Sequence, residues 1–169
     1  MRPDYSLQSN PLFHHNYESH PIDATWADYL KDCGGDKSID NYIHSKLIFN
    51  EKYENNRVSW EGYFAEVKQR QKNVIGWGNP YALSILVKMD PTESTQYADL
   101  VLSIPHSLYQ RNKSAFDSLK KGDGISFDAA LVGLGNEFKM HHLRCESLEK
   151  NGKAKHFEDI IVRESSLPE

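Results

Sequence analysis

The hydrophobic period of the chain changes at residue 57, and that change limits its folds more than any other feature. Upstream, apolar residues recur at helical spacing. From Val58 the pattern alternates: Val58-Ser-Trp60-Glu-Gly62-Tyr-Phe64 is strict, and Ala65 and Val67 continue with the phase shifted by one. Alternation is the side-chain period of a strand with one buried face. A phase slip beside a glycine predicts a bulge or a sharp bend. Three further runs repeat the pattern: Tyr81, Leu83, Ile85, Val87 and Met89; Ala98, Leu100, Leu102 and Ile104; Ile125, Phe127, Ala129 and Leu131. Phe138 to Leu148 reads as a fifth strand, whose facing stays open because Phe138 and Met140 are out of phase with Leu143 and Cys145. One helix interrupts the strands, from about His106 to Lys120. Leu108, Ala115, Phe116 and Leu119 line its inner face, and Lys120-Lys121-Gly122 is a typical C-terminus.

Five short strands expose edges unless the sheet closes on itself. Three strands, a helix and two strands is the element order of an OB-type Greek-key barrel. We therefore expect a mainly β fold, a five-stranded OB barrel with one helix between strands 3 and 4; an SH3-like barrel or small sandwich is the rival. The expected core is Val58, Trp60, Leu83, Ile85, Val87, Leu100, Leu102, Phe116, Leu119, Ile125, Phe127 and Leu131. A short helical segment precedes the barrel. Asp23 is its expected N-cap, with Trp26, Tyr29, Leu30 and Cys33 on one face. A second helix follows from Lys37 to about Phe49, with Ile39, Tyr42, Ile43 and Leu47 on one side. The expected organisation is an extended or disordered arm over 1–21, the helical segment over 22–56, the barrel over 57–149 and a charged, mostly disordered tail over 150–169 with an apolar patch at Ile160-Ile161-Val162.

The chain carries 20 basic and 24 acidic side chains, a formal net charge of −4. Residues 57–149 hold 11 of each, so the expected barrel is neutral. Single-strand binders of this fold use a basic groove with stacking aromatics. Tyr63, Trp77 and Tyr81 sit where such a groove would lie, with Lys68, Arg70, Lys72 and Lys88 nearby, but neutrality speaks against nucleic acid and leaves the same aromatics as a candidate protein-binding face. No catalytic spacing is present: G-x-S-x-G, H-E-x-x-H and a phosphate-cradling glycine loop are all missing. His14, His15 and His20 lack Cys or acidic partners at helical spacing, and the rings of His141 and His142 must point to opposite faces of a strand. No twelve-residue EF-hand loop is found. The reading is a non-catalytic domain with no cofactor and no metal. Two cysteines, Cys33 and Cys145, are too few for a disulfide scaffold, and either pair with each other or stay as half-buried thiols. No apolar stretch reaches the ~18 residues of a membrane span, and residues 1–20 lack the apolar core of a signal peptide. Taken as a complete product the chain would be cytosolic; taken as part of a longer one, it would meet a membrane only through that parent chain.

Five segments resemble the C-terminal lumenal domain of the wolframin family in order and spacing. They are Trp26 to Gly34, with aromatics before Cys-Gly; Arg57-Val-Ser-Trp-Glu-Gly62; Asp99-Leu-Val-Leu; Leu119-Lys-Lys-Gly122 running into Ile125-Ser-Phe127; and Phe138 to Cys145. The resemblance spans about Trp26 to Leu148. It departs from the family in having no multi-span region, only two cysteines and a shorter loop after the first strand. It implies a place on the lumenal side of the endoplasmic reticulum and a role in its calcium balance, the unfolded-protein response and the handling of secretory cargo. No catalytic residue carries over. In that compartment Asn112-Lys113-Ser114 would be a glycosylation sequon. The alternative is a cytosolic single-stranded nucleic-acid-binding OB protein.

Overall fold

A computed structural model describes residues 19–34, 39–69, 81–93, 97–135 and 140–157. Helices α1 (Trp26–Cys33) and α2 (Ile39–Ile48) lead through a π-helical turn, Phe49–Tyr53, into β1 (Arg57–Gln69). Then come β2 (Tyr81–Lys88), β3 (Leu100–Pro105), two short helices α3 (His106–Arg111) and α4 (Lys113–Asp117), β4 (Asp123–Gly133) and β5 (His141–Ala154). The fold is mainly β, with a five-stranded mixed sheet and a few helices. Each strand pairs with two others, so the ladder runs β1-β2-β3-β5-β4 and closes from β4 onto β1. All pairings are antiparallel except β3 with β5.

The phase slip in β1 has a local cause. Phe64 pairs with Val87 and Glu66 with Leu86, so Ala65 is an extra, bulged residue. Gly62 serves packing instead: a Cβ there would lie 2.7 Å from both Met89 Sδ and Val87 Cγ1. A second bulge fixes the open facing of β5. Cys145 pairs with Ala129 and Ser147 with Asp128, leaving Glu146 extra, so His141, Leu143, Cys145 and Leu148 are all buried.

One apolar cluster joins the inside of the ring to the helical segment. Trp26, Tyr29, Phe49 and Tyr53 share it with Val58, Trp60, Ile85, Val87, Leu100, Leu102, Phe116, Ile125, Phe127 and Leu131, while Leu83 and Leu119 are only partly buried at its margin. Trp60 clamps the two parts. Its indole N–H donates to Ala24 O at 2.8 Å, and its ring meets Trp26 edge-on at 5.3 Å.

Several boundaries differ from expectation. Thr25, not Asp23, caps α1, because its hydroxyl accepts from Asp28 N–H while the Asp28 carboxylate accepts from Thr25 N–H. The helix after β3 breaks at Asn112 into two pieces. Helix α2 packs through Tyr42, Ser45 and Ile48, with the π-turn adding Phe49 and Tyr53. This leaves Ile43 and Leu47, expected on the inner side, 54% and 57% exposed. The last strand runs past residue 149 to Ala154, because Ile125 pairs with Lys150 and Asp123 with Ala154. Residues 1–18, Trp77 and Ile160-Ile161-Val162 lie outside the described residues.

Candidate functional site

A buried polar network sits where α1, the β2–β3 loop and the start of β5 meet. His141 opens β5 and is sealed inside, with its side chain 2% exposed. Gly135 N–H donates to its Nδ1 at 2.9 Å. A backbone N–H can only donate, so Nδ1 carries a lone pair and the ring proton is on Nε2. That proton points at Glu93 Oε1, 2.7 Å away. Tyr29 Oη also lies 2.8 Å from Nδ1, which makes the tyrosine a second donor to the same nitrogen. The Tyr29 and Trp26 rings meet the imidazole edge-on at 4.9 and 5.8 Å.

The loop that presents Glu93 is held by Asp99. This buried carboxylate accepts from Met89 N–H at 2.8 Å, Glu93 N–H at 2.8 Å and the Thr92 hydroxyl at 2.8 and 2.9 Å. Trp26 Nε1 donates to Pro91 O at 2.7 Å and ties the same loop to α1. Burial pushes the Asp99 carboxyl above its ordinary range, against the pull of these donors.

Tyrosine, imidazole and carboxylate in line are the elements of an activated nucleophile. Here they lack the chemistry for it. Burial, reinforced by Cys33 and Glu93, raises the Tyr29 hydroxyl well above its ordinary value, and the residue is 0% exposed. No reacting atom could approach it without removing α1. The network is a structural seam, buried at Tyr29 and His141 and open to solvent at Glu93. Among the described residues, no three His, Cys, Asp or Glu side chains converge on a point that could hold a metal ion.

The residues singled out from sequence fall in separate places. His142 faces outward, with Ser103 Oγ 2.7 Å from its Nε2 and the Tyr81 ring edge-on at 6.3 Å. Tyr63 lies under Lys155, whose Nζ is 5.6 Å from the ring centroid. Tyr63 pairs with Lys88, near the end of β2 that Tyr81 begins. Seven residues of strand separate the two tyrosines, roughly 20 Å along the sheet, so they do not form one patch. Trp77, the third member of that face, lies outside the described residues. Asn112 is partly exposed at the junction of α3 and α4. Cys33 and Cys145 are not joined by a disulfide. Both are buried, Cys33 with its thiol toward Ser45 O at 3.7 Å in the helical segment and Cys145 with its thiol toward Ser147 O at 3.3 Å on β5.

A feature that strand alternation alone did not reveal lies outside the ring. Ile85, Val87, Leu100 and Leu102 point into the main cluster, so Leu86 and Val101, between them, point out. Both are nevertheless 0% exposed. They form a second apolar cluster with Ala65 and Ala98, on which Met140 and Phe157 pack. The unbroken apolar runs Ile85 to Val87 and Leu100 to Leu102 were the available signal, since a strand covered on both faces loses its alternation. The polar counterpart is a depression of about 410 Å³ on the outer face of β1, β4 and β5, where Ser59 and Ser147 both donate to Asp128.

No protein-family model matches the chain, and no curated protein matches it either. No helix among the described residues is long and apolar enough to cross a membrane.

Proposed function

We propose that this chain is a non-catalytic, protein-binding accessory domain built on an OB-type Greek-key barrel, working on the lumenal side of the endoplasmic reticulum as its resemblance to the wolframin family implies. The strand order 1-2-3-5-4, the parallel β3–β5 pair and the helices between β3 and β4 support the OB assignment. The observation that carries the functional reading is the character of the outer β2–β3 face. OB barrels that hold single strands use that face, with aromatic platforms and a basic lining. Here its centre is Leu86 and Val101, fully covered by apolar groups. Such a surface suits aliphatic and aromatic side chains of a peptide better than a phosphate backbone. The burial of Tyr29 and His141 supports a reading without catalysis.

Two experiments test this. A chimaera carrying the present chain in place of the C-terminal lumenal domain of wolframin is expected to restore lumenal calcium in wolframin-deficient cells, and to gain a glycan that Asn112→Gln removes. Failure to restore calcium, with the chimaera folded and in place, would refute the family reading. Titration with labelled single-stranded oligonucleotides is expected to show no binding at physiological salt. Micromolar binding that weakens steeply as salt rises would instead make the chain a single-strand binder.

A further inference from the structure

We propose that residues 155–157 form a strap that closes, in cis, a peptide-binding face on the outside of β2 and β3, and that this face takes an extended apolar segment once the strap leaves. The ligand class rests on the protein-binding reading above; the strap rests on its own contacts.

The strap begins where β5 ends. Lys155 N–H donates to Gly122 O at 2.9 Å, and Gly122 N–H donates to Phe64 O at 2.8 Å, which ties the strap to the ring one residue before the Ala65 bulge. Gly122 has φ +94°, and a Cβ there would lie 2.5 Å from Lys155 O. Only glycine adopts that conformation readily and admits the strap backbone so closely. The Lys155 ammonium extends over the Tyr63 ring and reaches Asp90 Oδ2 at 3.6 Å. Two residues on, Phe157 packs on the Ala65, Leu86, Ala98 and Val101 cluster, with Lys121 Nζ 5.8 Å from its ring centroid. The sequence continues with Ile160-Ile161-Val162, of the same apolar chemistry.

The two sides of this contact are unequal. The ring side is buried beneath Phe157 and Met140 together, so loss of the strap would open the part under Phe157 as an apolar patch in water. The strap side holds by little: Phe157 stays partly exposed, and the Lys155–Asp90 pair is open to solvent, where ion pairs contribute least. A well-formed apolar face under a weakly held aromatic is the arrangement of a binding site occupied by its own chain. A peptide presenting an aromatic and aliphatic residues in extended form can replace it. It must compete with a strap that a short tether presents at an effective concentration in the millimolar range.

The test uses the full chain with a specific protease site inserted between Ala154 and Lys155, cut after folding and separated from its C-terminal piece. The probe is a fluorescent peptide of residues 155–163. The cut protein is expected to bind it in the micromolar range, and the intact chain roughly a hundredfold more weakly because the tethered strap competes. Phe157→Ser in the uncut chain is expected to move the affinity toward that of the cut protein, and a probe carrying the same substitution should bind neither form. A cut protein that unfolds, or that keeps its near-ultraviolet dichroism and ignores the probe, overturns the strap. So does an uncut Phe157→Ser chain with unchanged probe affinity. Binding of the strap peptide with rejection of every unrelated extended apolar peptide overturns the ligand class and leaves the strap standing, whatever the calcium experiment shows.

Discussion

His141 shows how much one side chain can organise. Its Nδ1 answers two donors, Gly135 N–H and Tyr29 O–H, and its Nε2–H answers Glu93. His141→Ala therefore strands two buried donors, each at about 1–3 kcal/mol. The expected loss of stability is roughly 2–5 kcal/mol, read from the shift in the urea midpoint at unchanged m-value. Tyr29→Phe, which removes one donor and leaves the other answered, should cost clearly less. Cys145 sets a pH dependence. Burial pushes its thiol up to about 12 from an ordinary 9.0. As pH rises through 9 the unfolded thiol gives up its proton while the folded one keeps it. Alkali thus favours the unfolded state, by up to about 1.4 kcal/mol per pH unit. The contribution is fully present below pH 9 and is lost progressively from there toward 12. Stability measured between pH 9 and 10 should fall more steeply for the native chain than for Cys145→Ala, and equal slopes would show that the thiol is not sealed.

At the scale of elements, Trp60 fastens β1 to the helical segment through Ala24 O and the Trp26 ring. Trp60→Ala should cost roughly 3–5 kcal/mol, and the loss should appear as earlier exposure of α1 in hydrogen exchange. A variant within 1 kcal/mol of the parent would mean that the helical segment hardly leans on the ring. Elements with a clear period were legible in the sequence. The alternation in β1, β2, β3 and β4 located four strands, and the slip after Phe64 was a true sign of the bulge, though the extra residue is Ala65 rather than the glycine. Two kinds of feature were not legible. One depends on partners distant in sequence: Ile43 and Leu47 fit an inner stripe, yet the π-turn rotates Phe49 and Tyr53 inward in their place. The other is burial on the outer face, where Leu86 and Val101 read as solvent-side positions because alternation assumes that one face of a strand stays wet. The polar seam was hidden for the same reason as Ile43: Tyr29, Glu93 and His141 come from three separate elements, and nothing in their spacing marks them as neighbours.

At the scale of the whole molecule, the helical segment and the ring share one apolar cluster, so they should unfold together. In a Trp77→Phe chain, tryptophan fluorescence, which then reports Trp26 and Trp60 at their junction, and far-ultraviolet dichroism, which reports the strands, are expected to trace superimposable urea transitions. A separate early transition in fluorescence would show the helical segment leaving first. The closure of the ring also dictates an order of assembly. The pairs that close it are remote in the chain: Arg57 meets Ala130, and Leu100 meets His141. The β1–β2, β2–β3 and β4–β5 ladders join neighbours in sequence, and β1, β2 and β3 come first. During synthesis these three strands emerge with two free edges, β1 waiting for β4 and β3 for β5. Loop closure over such separations is slow, and an unpaired strand edge is a template for the wrong chain. The interval between the emergence of Pro105 and that of Arg144 is therefore when this protein is most exposed to aggregation and when a chaperone would matter most.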